Sequence, residues 1–167
     1  MSSMRVYVPA TFSALRRLAE RRTLGAQPLF ACAVTSDLRD WYPGGGDAEL
    51  DHVALTGAAQ ESLRLLAADE SETRRRVVLA VDVGAAAVAP DPAAGRTSVR
   101  VDADVPIADV VAVHVDGADA VAAVTEAASA YDAADRGDPD AARAVRSLED
   151  RELLWYGTQE IDDLLRG

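Results

Sequence analysis

The pattern of apolar and polar positions along the chain predicts five β-strands. Residues 5–8, 99–105 and 111–115 alternate between apolar and polar side chains, which is typical of strands with one buried face. Residues 29–34 and 77–81 are almost continuously apolar, as in strands that are covered on both faces. The run at 77–81 is the most apolar of the five, so we expect it at the centre of a sheet.

Helical spacing of apolar residues accounts for most of the chain between and after these strands. The predicted helices span residues 12–24, 36–41, 47–69, 118–134, 139–156 and 158–165. Ser36, Asp47 and Asp138 support three of them, because each stands where a helix begins and has a side chain suited to capping it. The stretch at 85–98 is rich in alanine, proline and glycine, and it predicts a mobile loop.

The order of these elements predicts an α/β or α+β fold. The length of the chain suits a single core, so we expect one domain over residues 1–167. The strand–helix–strand–helix–strand start implies right-handed crossovers between parallel strands. The short connection between the fourth and fifth strands implies an antiparallel pair. We therefore expect a mixed five-stranded sheet with the C-terminal helices packed on it. The pattern leaves open whether helices cover one face of the sheet or both.

Composition and charge narrow the classes of protein and partner. Hydrophobic residues make up 49 % and charged residues 27 % of the chain, the balance of a folded soluble domain, and no apolar run is long enough for a membrane span. The N-terminus lacks the apolar core of a signal peptide, so we expect a cytoplasmic protein. The net charge is −11, and residues 77–167 carry all of the excess, with 18 acidic and 7 basic side chains. Because an acidic surface repels phosphates, we expect neither nucleic acid nor membrane as a partner.

Candidate ligand-binding residues lie where the first three predicted strands end. They are Thr11 and Ser13 after the first strand, Thr35 and Ser36 after the second, and Asp82 after the third. Open α/β sheets bind ligands at the carboxyl ends of parallel strands, and hydroxyls beside helix N-termini suit a phosphate or a carboxylate. The same residue types also cap helices where no ligand is present. No glycine-rich phosphate loop accompanies them, so this anion site is the alternative interpretation and not the leading one.

Groups suited to catalysis or metal binding are few. The chain has two imidazoles: His52 in the first turn of a predicted helix, and His114 in a predicted strand, where a hydrogen-bonded, partly buried side chain is expected. Cys32 stands in an apolar run and is expected to be a buried, unreactive thiol. Asp102 and Asp104 share the solvent face of a predicted strand. We therefore expect no catalytic residue, no metal and no cofactor, and an enzyme is the less favoured class.

The aromatic pair Trp155 and Tyr156 is the candidate partner-binding element. Tryptophan and tyrosine are enriched at the energetic centres of interfaces, and they also close the rim of a core with their polar tips outward. The surrounding C-terminal segment is acidic and amphipathic, so its expected complement is a basic protein surface, on a partner or on a second copy of the chain. The sequence leaves open whether the pair is core or interface.

Five segments of the chain carry a resemblance to a known family. They are residues 5–11, 33–35, 76–83, 113–116 and 152–161. Together they resemble a family of short, acidic, uncharacterised proteins from high-GC actinobacteria, a domain of unknown function. The absence of lysine and asparagine from the chain fits a GC-rich genome. The resemblance implies a bacterial cytoplasmic origin and assigns no role to any residue.

The leading hypothesis is a non-catalytic protein-interaction or regulatory module that uses its acidic C-terminal helices, with an unidentified protein partner or as a homo-oligomer. The charge asymmetry between the two halves of the chain favours it. The alternative is a small-molecule-binding protein or an enzyme with an anionic ligand at the strand ends. A concave pocket at that edge of the sheet would favour the alternative.

Overall fold

One antiparallel sheet organises the chain in the computed structural model, which describes residues 2–25 and 28–166. Its strands are β1 (Ser3–Ala10), β2 (Leu29–Cys32), β3 (Val77–Gly84), β4 (Val88–Pro90), β5 (Ser98–Val101), β6 (Val110–Val115) and β7 (Leu154–Tyr156). They lie in the order β4-β5-β2-β1-β3-β6-β7, and each neighbouring pair is antiparallel. The fold of the described residues is therefore α+β, with seven strands in the sheet.

Helices connect and cover these strands. They are α1 (Phe12–Arg21), α2 (Ser36–Trp41), α3 (Asp47–Ala68), α4 (Val121–Asp135), α5 (Pro139–Arg146) and α6 (Ile161–Arg166). Their starts follow the capping residues, since Thr11 accepts a hydrogen bond from a backbone amide in the first turn of α1 and Asp138 accepts two in α5. Within the described part of the chain, no helix combines the length and the apolar character that a membrane crossing requires.

The predicted parallel start of the sheet is wrong, because β1 is antiparallel to both of its neighbours, β2 and β3. The register places Tyr7 opposite Cys32, so β2 begins at the end of the sheet where β1 finishes. Two backbone hydrogen bonds explain why β2 begins at that end: Leu24 donates to Val105 at 2.9 Å and Ile107 donates to Arg22 at 2.9 Å. They hold the loop after α1 beside the start of β2, so the chain makes no crossover to the opposite end.

The predicted antiparallel pairing of the fourth and fifth strands is also wrong. β5 pairs with β2 and β4, whereas β6 pairs with β3 and β7. The connection at residues 102–109 is therefore not a hairpin but crosses the end of the sheet, where its backbone is bonded to the loop after α1. A short connection in sequence indicates a hairpin only when its two strands are neighbours in space.

Two strands lie where other structure was expected. β4 falls within residues 85–98, predicted to be a loop, and it pairs with β5. β7 falls within the predicted helix 139–156, of which only residues 139–146 are α-helical. Both are three-residue strands at the edges of the sheet, and each forms because a longer strand offers an open edge for pairing.

Helices cover both faces of the sheet, which resolves the question that the sequence left open. On the first face, α1 and α6 pack on strand residues that include Val6, Leu79 and Val113. On the second face, α3 packs on the alternate strand positions, such as Val78 and Ala112. Helix α4 packs on α3 and not directly on the sheet. Its apolar residues form a third cluster with those of α3 and with Leu148.

Candidate functional site

The strand-end residues predicted to bind an anion are not brought together. Because β1 is antiparallel to β2 and β3, Thr11 and Ser13 lie at one end of the sheet and Thr35, Ser36 and Asp82 at the other. The shared edge on which this site was predicted therefore does not exist.

Four of these five side chains bond to other groups of the protein. Thr11 caps α1 through the amide of Ala14, and Ser13 donates to a carboxylate oxygen of Glu72. Asp82 forms an ion pair with Arg5 at 2.6 Å. Thr35 caps α2 and donates to the backbone oxygen of residue 96. The anion-binding role of these residues stays a prediction, and it no longer has the geometry that motivated it.

The predicted aromatic pair divides between the two faces of the sheet. Trp155 lies opposite His114 on the face that α3 covers, and it is 63 % exposed. Tyr156 lies opposite Val113 and packs against the core on the other face. Leu154 is also exposed. The two rings therefore have different environments: Trp155 is accessible to a partner or a ligand, and Tyr156 supports the fold.

A cleft of about 300 Å³ opens between α3 and the segment at residues 148–155. We name it the α3–β7 cleft, and its apolar lining includes Leu55, Ala59, Leu63, Leu148, Leu153 and Trp155. Polar groups are few at its base, where Arg76 and His114 belong to the cleft wall. A mostly apolar concavity of this size with a few placed polar groups is typical of small-molecule sites.

Arg76 enters the cleft wall from a buried ion pair. Its Nε donates to Oδ2 of Asp116 and its Nη2 donates to Oδ1, each at 2.8 Å, and neither side chain is more than 5 % exposed. Nη2 also donates to the backbone oxygen of Arg151 at 3.4 Å. Sequence explains the placement, since Arg76 immediately precedes β3 and Asp116 immediately follows the antiparallel neighbour β6.

The third guanidinium nitrogen of Arg76, Nη1, has no acceptor among the described residues. No fully buried side-chain nitrogen or oxygen lacks a partner in that same part of the chain. Nη1 is therefore not fully buried, and the cavity that Arg76 lines is the α3–β7 cleft. The base of the cleft thus offers a hydrogen-bond donor that the protein leaves unused.

His114 supplies a second such group. Its side chain is half-buried on β6, and no hydrogen bond joins either ring nitrogen to another described residue. Burial, and to a smaller extent the positive charge of Arg5, lowers the pKa of His114 below its ordinary value of 6.5. The lowered pKa favours the neutral imidazole at pH 7, which has one nitrogen that donates and one that accepts.

The mouth of the cleft is acidic and is bridged at one point. Gln60 of α3 donates to Glu149 across it at 3.4 Å, and Glu152 is exposed beside it. Arg151 is the cation in this rim. His52 is exposed on α3, where it lines both the cleft and an adjoining groove of about 330 Å³.

The remaining candidate groups lie away from this chemistry. Cys32 is buried, and burial raises the pKa of its thiol to about 11. Asp102 and Asp104 are exposed, and among the described residues no three histidine, cysteine, aspartate or glutamate side chains cluster as metal ligands do. Neither the thiol nor the two carboxylates contribute to the α3–β7 cleft.

Sequence reasoning did not identify the base of the cleft. Arg76 belongs to a run of three arginines before a strand, and Asp116 has the position of a helix cap. The available signal was their placement at the start of one apolar strand and just after another. Only with the knowledge that the two strands are antiparallel neighbours does that placement predict an ion pair.

Comparison with known proteins adds a family. The chain matches a family of unknown function, DUF6912, over residues 4–165. No curated protein and no solved structure matches it. The expected likeness to a family without an assigned function is thus confirmed, while the actinobacterial origin stays an expectation.

Proposed function

The chain belongs to DUF6912, a family of unknown function, and from its geometry we propose that it is a small-molecule-binding protein whose site is the α3–β7 cleft. One observation carries the proposal. Two polar groups at the base of an apolar cleft, Nη1 of Arg76 and the imidazole of His114, have no hydrogen-bond partner among the described residues.

Unpaired polar groups in a confined apolar space favour a bound molecule. A hydrogen bond between a ligand and such a partly accessible group contributes about 0.5–1.5 kcal/mol net. The walls supply the remaining affinity, because an apolar ligand body covers the partly exposed side chains of Leu55 and Leu153 and part of Trp155. This arrangement differs from the predicted anion site in both location and polarity.

A fragment-binding experiment tests the proposal. The protein is titrated with fragments of neutral, anionic and cationic classes, and backbone amide and indole signals are followed by two-dimensional NMR. We expect at least one class to shift the signals of His114 and Trp155. Ala59→Leu, which fills the cleft from α3, should abolish these shifts, whereas Ala68→Leu at the exposed end of α3 should leave them unchanged.

A second variant protects this test against a folding failure. His114→Leu replaces the imidazole with an apolar side chain at the same strand position and so removes the polar group. It should weaken binding, and it tests the site even if Ala59→Leu does not fold. The proposal is wrong if no class of fragment shifts the cleft signals in the folded wild-type protein.

Protein interaction is the second candidate, and one observation favours it. β7 is an edge strand that exposes Leu154 on one face and Trp155 on the other, beside the exposed acids Glu149, Asp150 and Glu152. Edge strands with exposed apolar residues are sites where another chain can pair. The fitting partner is a protein that presents a basic extended segment, in agreement with the hypothesis drawn from charge. This second proposal includes a cytoplasmic location for both proteins.

Leu154 separates this candidate from ligand binding, because it does not line the α3–β7 cleft. Leu154→Ser should release a purified partner that the wild-type protein retains, and high salt should release it as well. Val121→Ser, an exposed position on α4, is the matched control. Retention of the partner by Leu154→Ser would exclude β7 as the interface.

A further inference from the structure

The positive charge at the base of the α3–β7 cleft is already neutralised. Both carboxylate oxygens of Asp116 accept from the guanidinium of Arg76 at 2.8 Å, and the two side chains are buried together. What Nη1 offers to the cleft is therefore a hydrogen-bond donor within a neutral pair, without the net charge that would attract an anion. A ligand atom that accepts from Nη1 need not be charged.

The rim adds a further bias against anions. Glu149 and Glu152 face one cation, Arg151, around the mouth of the cleft. The adjoining groove contains Asp51 and an Arg5 that is already paired with Asp82. A carboxylate or phosphate on a ligand would meet this excess of negative charge on entry, and the neutral Arg76–Asp116 pair offers no net positive charge to offset it.

His114 determines which group the ligand carries beside the atom that accepts from Nη1 of Arg76. As a neutral imidazole it has one nitrogen that accepts a hydrogen bond, and this nitrogen has no partner among the described residues. A full positive charge on the ligand would lose its hydration at the apolar base without gaining a counterion there, because Asp116 is already paired with Arg76. A neutral N–H or O–H donor satisfies the imidazole without that cost.

We infer that the ligand of the α3–β7 cleft is an uncharged, mainly apolar molecule with an amide-like group, whose oxygen accepts from Nη1 of Arg76 and whose N–H donates to His114. The inference rests on the proposed function and specifies the ligand class of that site. The apolar body of the ligand occupies the space among Leu55, Leu63 and Trp155.

Four matched probes test the ligand class. Benzamide, benzoate, benzylammonium and toluene share one ring and differ in the polar group, and each is titrated into the protein with the NMR signals of His114 and Trp155 as readout. We expect benzamide to bind at least about tenfold more tightly than benzoate, a difference typical of one satisfied polar group. Toluene should bind more weakly than benzamide because it leaves both polar groups unpaired.

The outcomes separate the two proposals. Equal or tighter binding of benzoate or benzylammonium at the cleft contradicts the ligand class but keeps the small-molecule site. If none of the four probes, and no fragment of the broader set, shifts the cleft signals, the proposed function is wrong and the ligand class is wrong with it.

Charge variants test the reason for the selectivity. Asp116→Asn leaves the charge of Arg76 uncompensated and should shift the preference towards benzoate. Glu149→Gln combined with Glu152→Gln is an exposed change that keeps the fold, and it should tighten benzoate binding about twofold to threefold with benzamide unchanged. Glu126→Gln, on the exposed side of α4, is the control that should change neither affinity. An unchanged ratio of benzoate to benzamide affinity in the folded rim variant would contradict the electrostatic argument.

Discussion

Arg76 and Asp116 connect the start of β3 to the residue that follows β6 through two parallel side-chain hydrogen bonds of 2.8 Å, although they are 40 positions apart in the sequence. The backbone amide of Arg76 donates to the same carboxylate at 2.8 Å, and the amide of Asp116 donates back to the carbonyl of Arg76. The pair therefore fixes the end of the β3–β6 strand pair, and its arginine also lines the α3–β7 cleft.

The first prediction concerns the stability of this pair. Asp116→Ala leaves a guanidinium buried without its counterion, so we expect the free energy of unfolding to fall by about 3–5 kcal/mol in urea denaturation. Arg76→Met together with Asp116→Leu should recover most of the loss, because the unpaired charge is removed. Arg39→Ala breaks the exposed pair with Asp47 and should change stability by less than about 1 kcal/mol. A similar small loss for Asp116→Ala would show that the pair does not hold the strands.

The second prediction concerns pH. The pKa of His114 is lower in the folded protein than its ordinary value of 6.5, so the unfolded chain binds the proton more readily. The contribution of His114 to stability is present above about pH 6.5 and is lost as the pH falls below it. We expect the free energy of unfolding to decrease between about pH 7 and pH 5.5, and His114→Gln to remove part of this decrease. An identical pH dependence in the variant would contradict the prediction.

The third prediction concerns the two aromatic residues of β7. Tyr156→Ala removes a ring that packs against the core and should cost about 1–3 kcal/mol of stability, whereas Trp155→Ala should cost less because that ring is largely exposed. Chemical denaturation of both variants gives the comparison. Equal losses would mean that Trp155 also packs in the core. For binding studies Trp155→Ala is thus the usable change, since a substitution of Tyr156 would also remove a ring that packs against the core.

The fourth prediction concerns the thiol. Burial raises the pKa of Cys32 to about 11, so the reactive thiolate is scarce at neutral pH. We expect no reaction with a thiol-specific chromogenic reagent in the native protein at about pH 8, and full reaction after unfolding in urea. Rapid labelling of the folded protein would show that the thiol is accessible.

Local properties of the chain were predictable from sequence because they depend on neighbouring residues. The apolar run at 77–81 is a buried strand next to the central strand, and the helix at 36–41 has the predicted bounds. The helix predicted at 47–69 ends one residue earlier, at Ala68. Side-chain periodicity is read from contacts within a few residues, and these contacts survive in the fold. Of the three predicted caps, Asp138 is confirmed, whereas Thr35 caps α2 in place of Ser36, and Gly46, which has no side chain to bond, precedes α3 in place of Asp47.

The candidate site was predictable only in part. Trp155 was a candidate partner-binding residue whose exposure the sequence left open, and it lines the cleft. Its neighbour across the strands, His114, was expected to be hydrogen-bonded within the protein, whereas no hydrogen bond joins it to another described residue. The strand that brings Trp155 opposite His114, β7, lies where the sequence pattern indicated the end of a helix.

The sequence by itself determined much of the local structure: the strand at 77–81 that is buried on both faces, and the helices that begin at residues 12, 36, 47 and 139. The tertiary structure alone decided the direction of β1 relative to β2 and β3, the two edge strands, and the meeting of Arg76 with Asp116. The physical reason is range. Periodicity and caps act over one or two turns of chain, whereas strand direction and the α3–β7 cleft depend on pairing between residues far apart in sequence, and that pairing is selected by the packing of the whole core.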